Sequence, residues 1–475
     1  MRCPAFLLLF LIVLTSSAAA DKPNIIYIMA DDLGIGDVGC YGQKLLKTPR
    51  IDQLASEGMK FTQHYSGSAM CAPTRSCLMQ GLHTGHSRVR SNGDGNLRDL
   101  DVTVGEVLQS ADYKTGAMGK WGVGEAGSSG IPTKQGFDYW FGYLNQTRAH
   151  HHYPDFLWKN EEKVLYPDNP LERTHFSHDL FTDEALKFIK DNRERPFFLY
   201  VPYTLVHVDL DVPDDSRDPW IGNIEETEPY GTPGGQHYIY QEKPHATFAG
   251  MVSRLDRDVG RIVDLVDELG LGENTLIIFT SDNGPTSAGG ADPKFFDGNG
   301  IFRGIKFEFY EGGIRCPMIA RWPGKIEANS ETDHISAHWD VLPTLADLAG
   351  AEAPEEIDGI SFLPTLLGKK EAQDSHPYLY WECASGNGVQ ALRMGDWKAV
   401  RKGTRSPKGP VLELFNLATD ISEEKDLAKS HPEIVSRIES LMTSARSAPD
   451  GKSDELFQPR KPKKKKKAAA PGAKK

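Results

Sequence analysis

The sequence holds two kinds of reactive side chain at spacings that carry chemistry. Residues 70–81 read M-C-A-P-T-R-S-C-L-M-Q-G, with a thiol at Cys71, a proline at Pro73 and a guanidinium at Arg75. Pro73 fixes its own φ and biases Ala72 away from helical values, which predicts a bent, irregular segment that exposes the sulfur. Arg75 then offers a planar fork of donors to an oxyanion beside Cys71, a geometry suited to sulfate or phosphate. A plainer assignment of the same thiol is a disulfide with Cys77, or a buried core cysteine.

The second kind is acidic. Asp31-Asp32 follows the apolar run N-I-I-Y-I-M-A at Asn24–Ala30, and Asp282-Asn283 follows T-L-I-I-F-T at Thr275–Thr280. Each run is short and continuous enough for a strand buried on both faces. Parallel strands bring their carboxyl ends to one rim, where open α/β sheets place ligands. Taken alone, Asp31-Asp32 reads equally as a turn with a helix cap. Beside Asp282 and Asn283 the three carboxylates would repel one another, and a divalent cation is the economical remedy. All-oxygen ligation favours Ca²⁺, with Mg²⁺ second, over Zn²⁺.

Imidazoles complete the set. His207 lies just past a third strand candidate, Pro196–Val201, where it reads as a general acid or as a satisfied structural histidine. His150, His151 and His152 point in three directions, so at most one or two can enter a site. The other reading of the run is a polar loop. The adjacent Asn145-Gln146-Thr147 is a glycosylation sequon, meaningful in a eukaryotic host.

These residues need elements to hold them. Helices are predicted at Pro49–Leu54, Asp183–Asp191, Asp340–Leu348 and, by a long 3-4 apolar spacing, from Phe248 to Leu269 with Gly270 as its stop. The last feeds the strand before Asp282. The stretch 214–245 has no period and reads as a long surface excursion that shapes a pocket. A short strand follows at Pro317–Trp322. After Lys370 the texture changes to short alternating runs at Tyr378–Trp381, Gln390–Met394, Trp397–Val400 and Leu412–Phe415, then a helix over Pro432–Ala445. The expected fold class is α/β: a large, mostly parallel mixed sheet between helices, over residues 21–367, with a small antiparallel sheet plus helix over 368–457.

Composition sets the compartment. Arg2, the apolar run Phe6–Leu14 and Ala18-Ala19-Ala20 form a secretory signal over residues 1–20, too short to span a bilayer. No later segment is long and apolar enough for a membrane helix. The expectation is a secreted or periplasmic protein without a membrane span. Removing Cys3 leaves five cysteines, an odd number for an oxidising compartment. The net charge of −12 includes a tail, residues 458–475, with nine Lys and Arg and no acid. That tail is expected to be disordered; the body without it is more acidic still, which argues against nucleic acid and leaves any anionic substrate to local cations.

The motif C-x-P-[ST]-R resembles the signature of the type I sulfatases, arylsulfatase-like enzymes whose cysteine is converted to formylglycine by a formylglycine-generating enzyme. Four further stretches fall in that family's order: Asp31-Asp32, Gly119-Lys120-Trp121, Asp282-Asn283, and the run from Gly304-Ile305-Lys306 through Glu311-Gly312-Gly313-Ile314-Arg315-Cys316-Pro317. The resemblance implies an alkaline phosphatase-like fold and hydrolysis of sulfated carbohydrates or aryl sulfates. It implies a calcium held by Asp31, Asp32, Asp282 and Asn283 against residue 71, with Arg75, Lys120 and Lys306 on the sulfate and His207 near the leaving group. The family often has G-K-W-H where this chain has Gly122, so one of the three consecutive histidines is a candidate for the missing imidazole. Two rivals remain: a phosphoester hydrolase of the same superfamily, for which Ser or Thr would be the expected nucleophile, and a non-catalytic protein that binds sulfated glycans.

Overall fold

The structure is a computed structural model that describes residues 22–234, 238–449 and 454–459. The signal segment 1–20 and the lysine-rich residues 460–475 lie outside the described residues. Every residue of strand β1 (Asn24–Ala30) is buried. Its side chains alternate between two cores, Ile26, Ile28 and Ala30 on one face and Ile25, Tyr27 and Met29 on the other. At roughly 1.5–3 kcal/mol for each large apolar side chain buried, this strand anchors both layers.

The sheet has ten strands. After β1 come β2 (Met59–Phe61), β3 (Lys114–Lys120), β4 (Tyr139–Tyr143), β5 (Phe156–Lys159), β6 (Glu162–Leu165), β7 (Phe197–Pro202), β8 (Thr275–Ser281), β9 (Met318–Arg321) and β10 (Ser330–Thr332). Across the sheet they run β10-β2-β9-β8-β1-β7-β3-β4-β5-β6. The central strands β8, β1, β7, β3 and β4 are parallel. β9 is antiparallel to both its neighbours, and β5 and β6 turn back beyond β4.

Helices α1 (Pro49–Ser56), α2 (Cys71–Gln80), α3 (Val104–Ser110), α4 (Ser177–Asn192), α5 (Pro244–Glu268) and α6 (Val341–Ala349) cover the two faces. From α1, α4 and α5, Ile51, Leu54, Phe181, Ile189, Met251 and Leu255 pack with Ile26 and Ile28. From α2, α3 and α6, Leu78, Val104, Leu108, Leu342 and Leu345 pack with Ile25 and Met29. Helix α5 starts a turn earlier than its apolar spacing suggests, because Pro244 at its first position needs no N–H partner there.

A second sheet of four antiparallel strands follows: β11 (Leu379–Cys383), β12 (Val389–Met394), β13 (Trp397–Lys402) and β14 (Val411–Asn416), then α7 (Pro432–Ser444). One face takes Ile438 and Met442 of α7. The other carries Leu379, Trp381 and Val400 onto Tyr65, Met70 and Trp339 of the main body. A buried ion network crosses the same seam: Lys398 Nζ lies 2.8 Å from Glu311 and 3.0 Å from Glu423, and Glu311 also pairs with Arg315 at 2.7 Å.

Two expectations are corrected here. Residues 71–80 are a regular helix, not an irregular bend, and all ten are buried. Pro73 stands in the first turn of α2, where backbone N–H groups have no intrahelical acceptor to lose. The Cys71 sulfur is accordingly not exposed; the residue is 1% accessible. Its thiol and that of Cys77 are both free, as are those of Cys40, Cys316 and Cys383, so no disulfide joins the described cysteines.

Candidate active site

The register of the sheet sets the site. Ala30 pairs with Ser281 and Met29 with Pro202, so β8, β1 and β7 end together. Asp31 and Asp32 therefore emerge beside Asp282 and Asn283, and all four are buried. Asp32 adopts a left-handed φ of 61°, a conformation Asp tolerates better than most residues, and its N–H donates to Asp282 Oδ1 at 3.1 Å. Lys120 ends β3 on the same rim.

Cations close over these acids. Arg75 Nη2 lies 2.9 Å from Asp282 Oδ2 and 3.5 Å from Asp31 Oδ2. Lys120 Nζ is 2.6 Å from Asp31, and Lys306 Nζ is 2.6 Å from Asp32. Lys306 Nζ also approaches Cys71 Sγ at 3.4 Å. Cys71 itself opens α2, whose N-terminal dipole favours an anion at that point. The Ala72 N–H of the same turn donates to Asn92 Oδ1.

The charges follow from this packing. Burial pushes Asp31 up, but Lys120, His207, Arg75 and Lys306 outweigh it and hold its carboxyl well below the usual range. Burial and then the Asp31 charge raise Asp282 to about 7. Burial also raises the Cys71 thiol to about 11, despite Lys120 and Lys306. At neutral pH that sulfur is a thiol rather than a thiolate, and so a poor nucleophile as it stands. Burial and Lys306 lower His207 to about 4, and its Nδ1 donates to Val208 O at 2.6 Å.

The site gathers donors that can hold a metal ion. Asp31, Asp32, Cys71 and His207 each bring a ligand atom within 4.8 Å of the others. Asn283 Nδ2 donates to Asp32 Oδ1, which turns Asn283 Oδ1 away from that bond; Asn283 Oδ1 and Asp31 Oδ1 are both buried without a hydrogen-bond partner. Orphaned buried acceptors of this kind are costly unless something electropositive meets them.

The three histidines divide. His150 stacks on His207 with ring centroids 4.6 Å apart, and burial with the His207 charge lowers it to about 2. His151 turns to Asp209 at 2.7 Å, which raises its pKa. His152 is buried, with Nε2 3.0 Å from the carbonyl oxygens of both His207 and Asp209. Only His150 borders the site, and it does so through His207. Sequence reasoning passed over Asp209, Asn92 and Gln146, since each is an ordinary polar residue in a loop. For Gln146 the available signal was the missing side chain at Gly122.

Comparison with known proteins bears on this geometry. The profile described as "Sulfatase" matches residues 23–351, and that described as "N-sulphoglucosamine sulphohydrolase, C-terminal" matches 302–448. The chain is 32% identical to human steryl-sulfatase over 81% of its own length and 76% of that protein. It is 30% identical to the N-acetylgalactosamine-6-O-sulfatase of Bacteroides thetaiotaomicron, covering 90% and 94% of the two chains. Among solved structures, Ps i-CgsB in complex with k-i-k-neocarrahexaose superposes with a TM-score of 0.75 at 30% identity, over 90% of this chain and 94% of that one.

Proposed function

The chain belongs to the sulfatase family and is a sulfuric ester hydrolase, and from that premise we propose that it removes sulfate from sulfated carbohydrates, using formylglycine made from Cys71 and a calcium ion on the carboxylate rim. The observation that carries this reading is the convergence of Cys71, three buried cations and three buried carboxylates at the carboxyl ends of the parallel strands. The carbohydrate assignment draws on the N-acetylgalactosamine-6-O-sulfatase and the neocarrahexaose complex. In this reading residues 21–367 form the catalytic unit, 368–457 a subdomain beside it, and the protein is secreted or periplasmic.

When present, hydrated formylglycine supplies an oxygen nucleophile with a second hydroxyl, and calcium supplies charge to polarise the sulfuryl group. The chain's own residues do the rest. Asp31, Asp32, Asp282 and Asn283 would hold the ion through oxygens, two of which are otherwise unmatched. Arg75, Lys120 and Lys306, which close over the carboxylates, would supply positive charge to the sulfuryl oxygens, where preorganised charge is worth most because water is excluded. Lys306, 3.4 Å from the sulfur of residue 71, or His207 protonates the departing alcohol.

The test joins modification to turnover. Protein made in a host with the formylglycine-generating enzyme is digested, and the tryptic peptide 61–75 is weighed. The same sample is assayed for inorganic sulfate and phosphate release from sulfated oligosaccharides and from aryl sulfate and aryl phosphate esters. We expect the aldehyde or its hydrate at position 71, sulfate release, loss of activity on chelation with recovery on adding calcium, and a fall of at least about 10³ in kcat for Cys71→Ala. A bare thiol with no sulfate release, or phosphate release alone, overturns the proposal.

A further inference from the structure

The gap at Gly122 is not empty. Gly122 has a left-handed φ of 79°, and a Cβ there would lie 2.7 Å from Gln146 Oε1 and 3.3 Å from Arg75 Cδ. The volume that a side chain at position 122 would enter is thus occupied by the carboxamide of Gln146, reaching in from the loop after β4. That volume borders the stem of Arg75.

The chemistry of the place is narrow. Gln146 Oε1 is buried and accepts no hydrogen bond. On Arg75, Nη1 donates to Lys120 O at 2.5 Å and Nη2 to Asp282 at 2.9 Å, while its Nε is buried with no acceptor. Cys71 lies one helical turn before Arg75, on the same face of α2. An unmatched acceptor and an unmatched donor beside this face call for a group that both donates and accepts. Sulfuryl oxygens only accept and answer Arg75 Nε alone. A hydroxyl on residue 71 answers both.

We propose that Gln146 is a positioning residue for the nucleophile: its Oε1 accepts a hydrogen bond from one hydroxyl of the hydrated residue 71, which fixes the other toward the sulfur. The inference rests on the formylglycine reading above. An amide oxygen is far less basic than an imidazole, so Gln146 orients the hydroxyl without taking its proton. His150 and Gln146 share one loop, but the carboxamide rather than that imidazole fills the space beside Gly122.

Two variants test this, each checked for aldehyde content at position 71 and for melting temperature. Gln146→Met keeps the length and loses the acceptor; kcat should drop about 30-fold or more with KM changed less than about threefold, as expected for an interaction that orients the reacting group. Gln146→His restores an acceptor that titrates, so kcat should recover at least tenfold over Gln146→Met. It should also acquire a limb near pH 6–7 that the wild type lacks. A Gln146→Met enzyme within twofold of wild type, or a Gln146→His pH profile that superimposes on it, overturns the inference. If wild type carrying the aldehyde releases no sulfate, it is the functional reading that fails instead.

Discussion

At the scale of single residues, what separates the site from ordinary polar packing is how few of its partners are interchangeable. His150, His151 and His152 are adjacent in sequence, yet one stacks on His207, one pairs with Asp209 and one spans two carbonyls. Their alanine variants should therefore part company. His151→Ala should leave kcat within about twofold, since the imidazole is half exposed and its ion pair is of the weak kind. His152→Ala strands two buried carbonyls and should cost about 1–3 kcal/mol in urea unfolding with kcat per folded molecule preserved. His150→Ala removes the face on which His207 rests and should lower kcat several-fold with stability nearly unchanged. Equal effects in all three would mean that the loop acts as a unit, contrary to these contacts.

At the scale of elements, the strands and the helices differed in how plainly the sequence announced them. β1, β7 and β8 are uniform apolar runs and were legible because a strand buried on both faces needs nothing else. β3 was not legible: K-T-G-A-M-G-K carries two glycines and no β-branched residue beyond Thr115. The glycines serve contact rather than propensity, since a Cβ at Gly119 would fall 2.0 Å from the Pro202 carbonyl oxygen. The same holds for α2, where a proline that reads as a breaker is harmless in the first turn. The carboxylate rim was visible as strand ends, whereas the turn of each histidine and the reach of Gln146 depend on contacts between distant segments that no local pattern encodes. The seam between the two sheets gives the test at this scale. Lys398 is fully buried between Glu311 and Glu423, and burial raises Glu423 to about 6 while Lys398 pulls it down. Lys398→Met should cost about 3–5 kcal/mol by leaving buried Glu423 without its cation and Glu311 with Arg315 alone, and Lys398→Met with Glu423→Gln should recover part of it. A loss below about 1 kcal/mol would show the network to be dispensable.

At the scale of the whole molecule, the buried histidines make a contribution to stability that weakens in acid. Burial and Arg75 lower His338 to about 3, burial lowers His83 to about 4, and burial with His338 holds His64 well below its ordinary value. Each is neutral in the folded chain, while the unfolded chain binds a proton near pH 6.5. At these three positions the folded state takes up fewer protons, and their contribution to stability is full above about pH 6.5 and declines as pH falls toward 4. The decline should reach about 2 kcal/mol per histidine by pH 5. Asp37, Asp282 and Glu423, raised by burial to about 7, 7 and 6, change stability in the opposite sense over this range. The histidine part is therefore read as the difference in urea-midpoint shift between pH 7.5 and pH 5.0 for the wild type and for His83→Gln; equal shifts would contradict the assignment of His83 as buried and neutral.

The closure of the fold over Cys71, 1% accessible at the base of α2, also sets a calendar. On the formylglycine reading proposed above, an enzyme that must reach that sulfur can do so only before the chain has folded. Conversion and folding then compete during synthesis, and every molecule leaves with its fate decided. Two molecules alike in sequence and shape can differ permanently in whether they turn over. In that reading the specific activity of a preparation is written at biosynthesis, and exposing the finished, folded protein to a formylglycine-generating enzyme should not raise it.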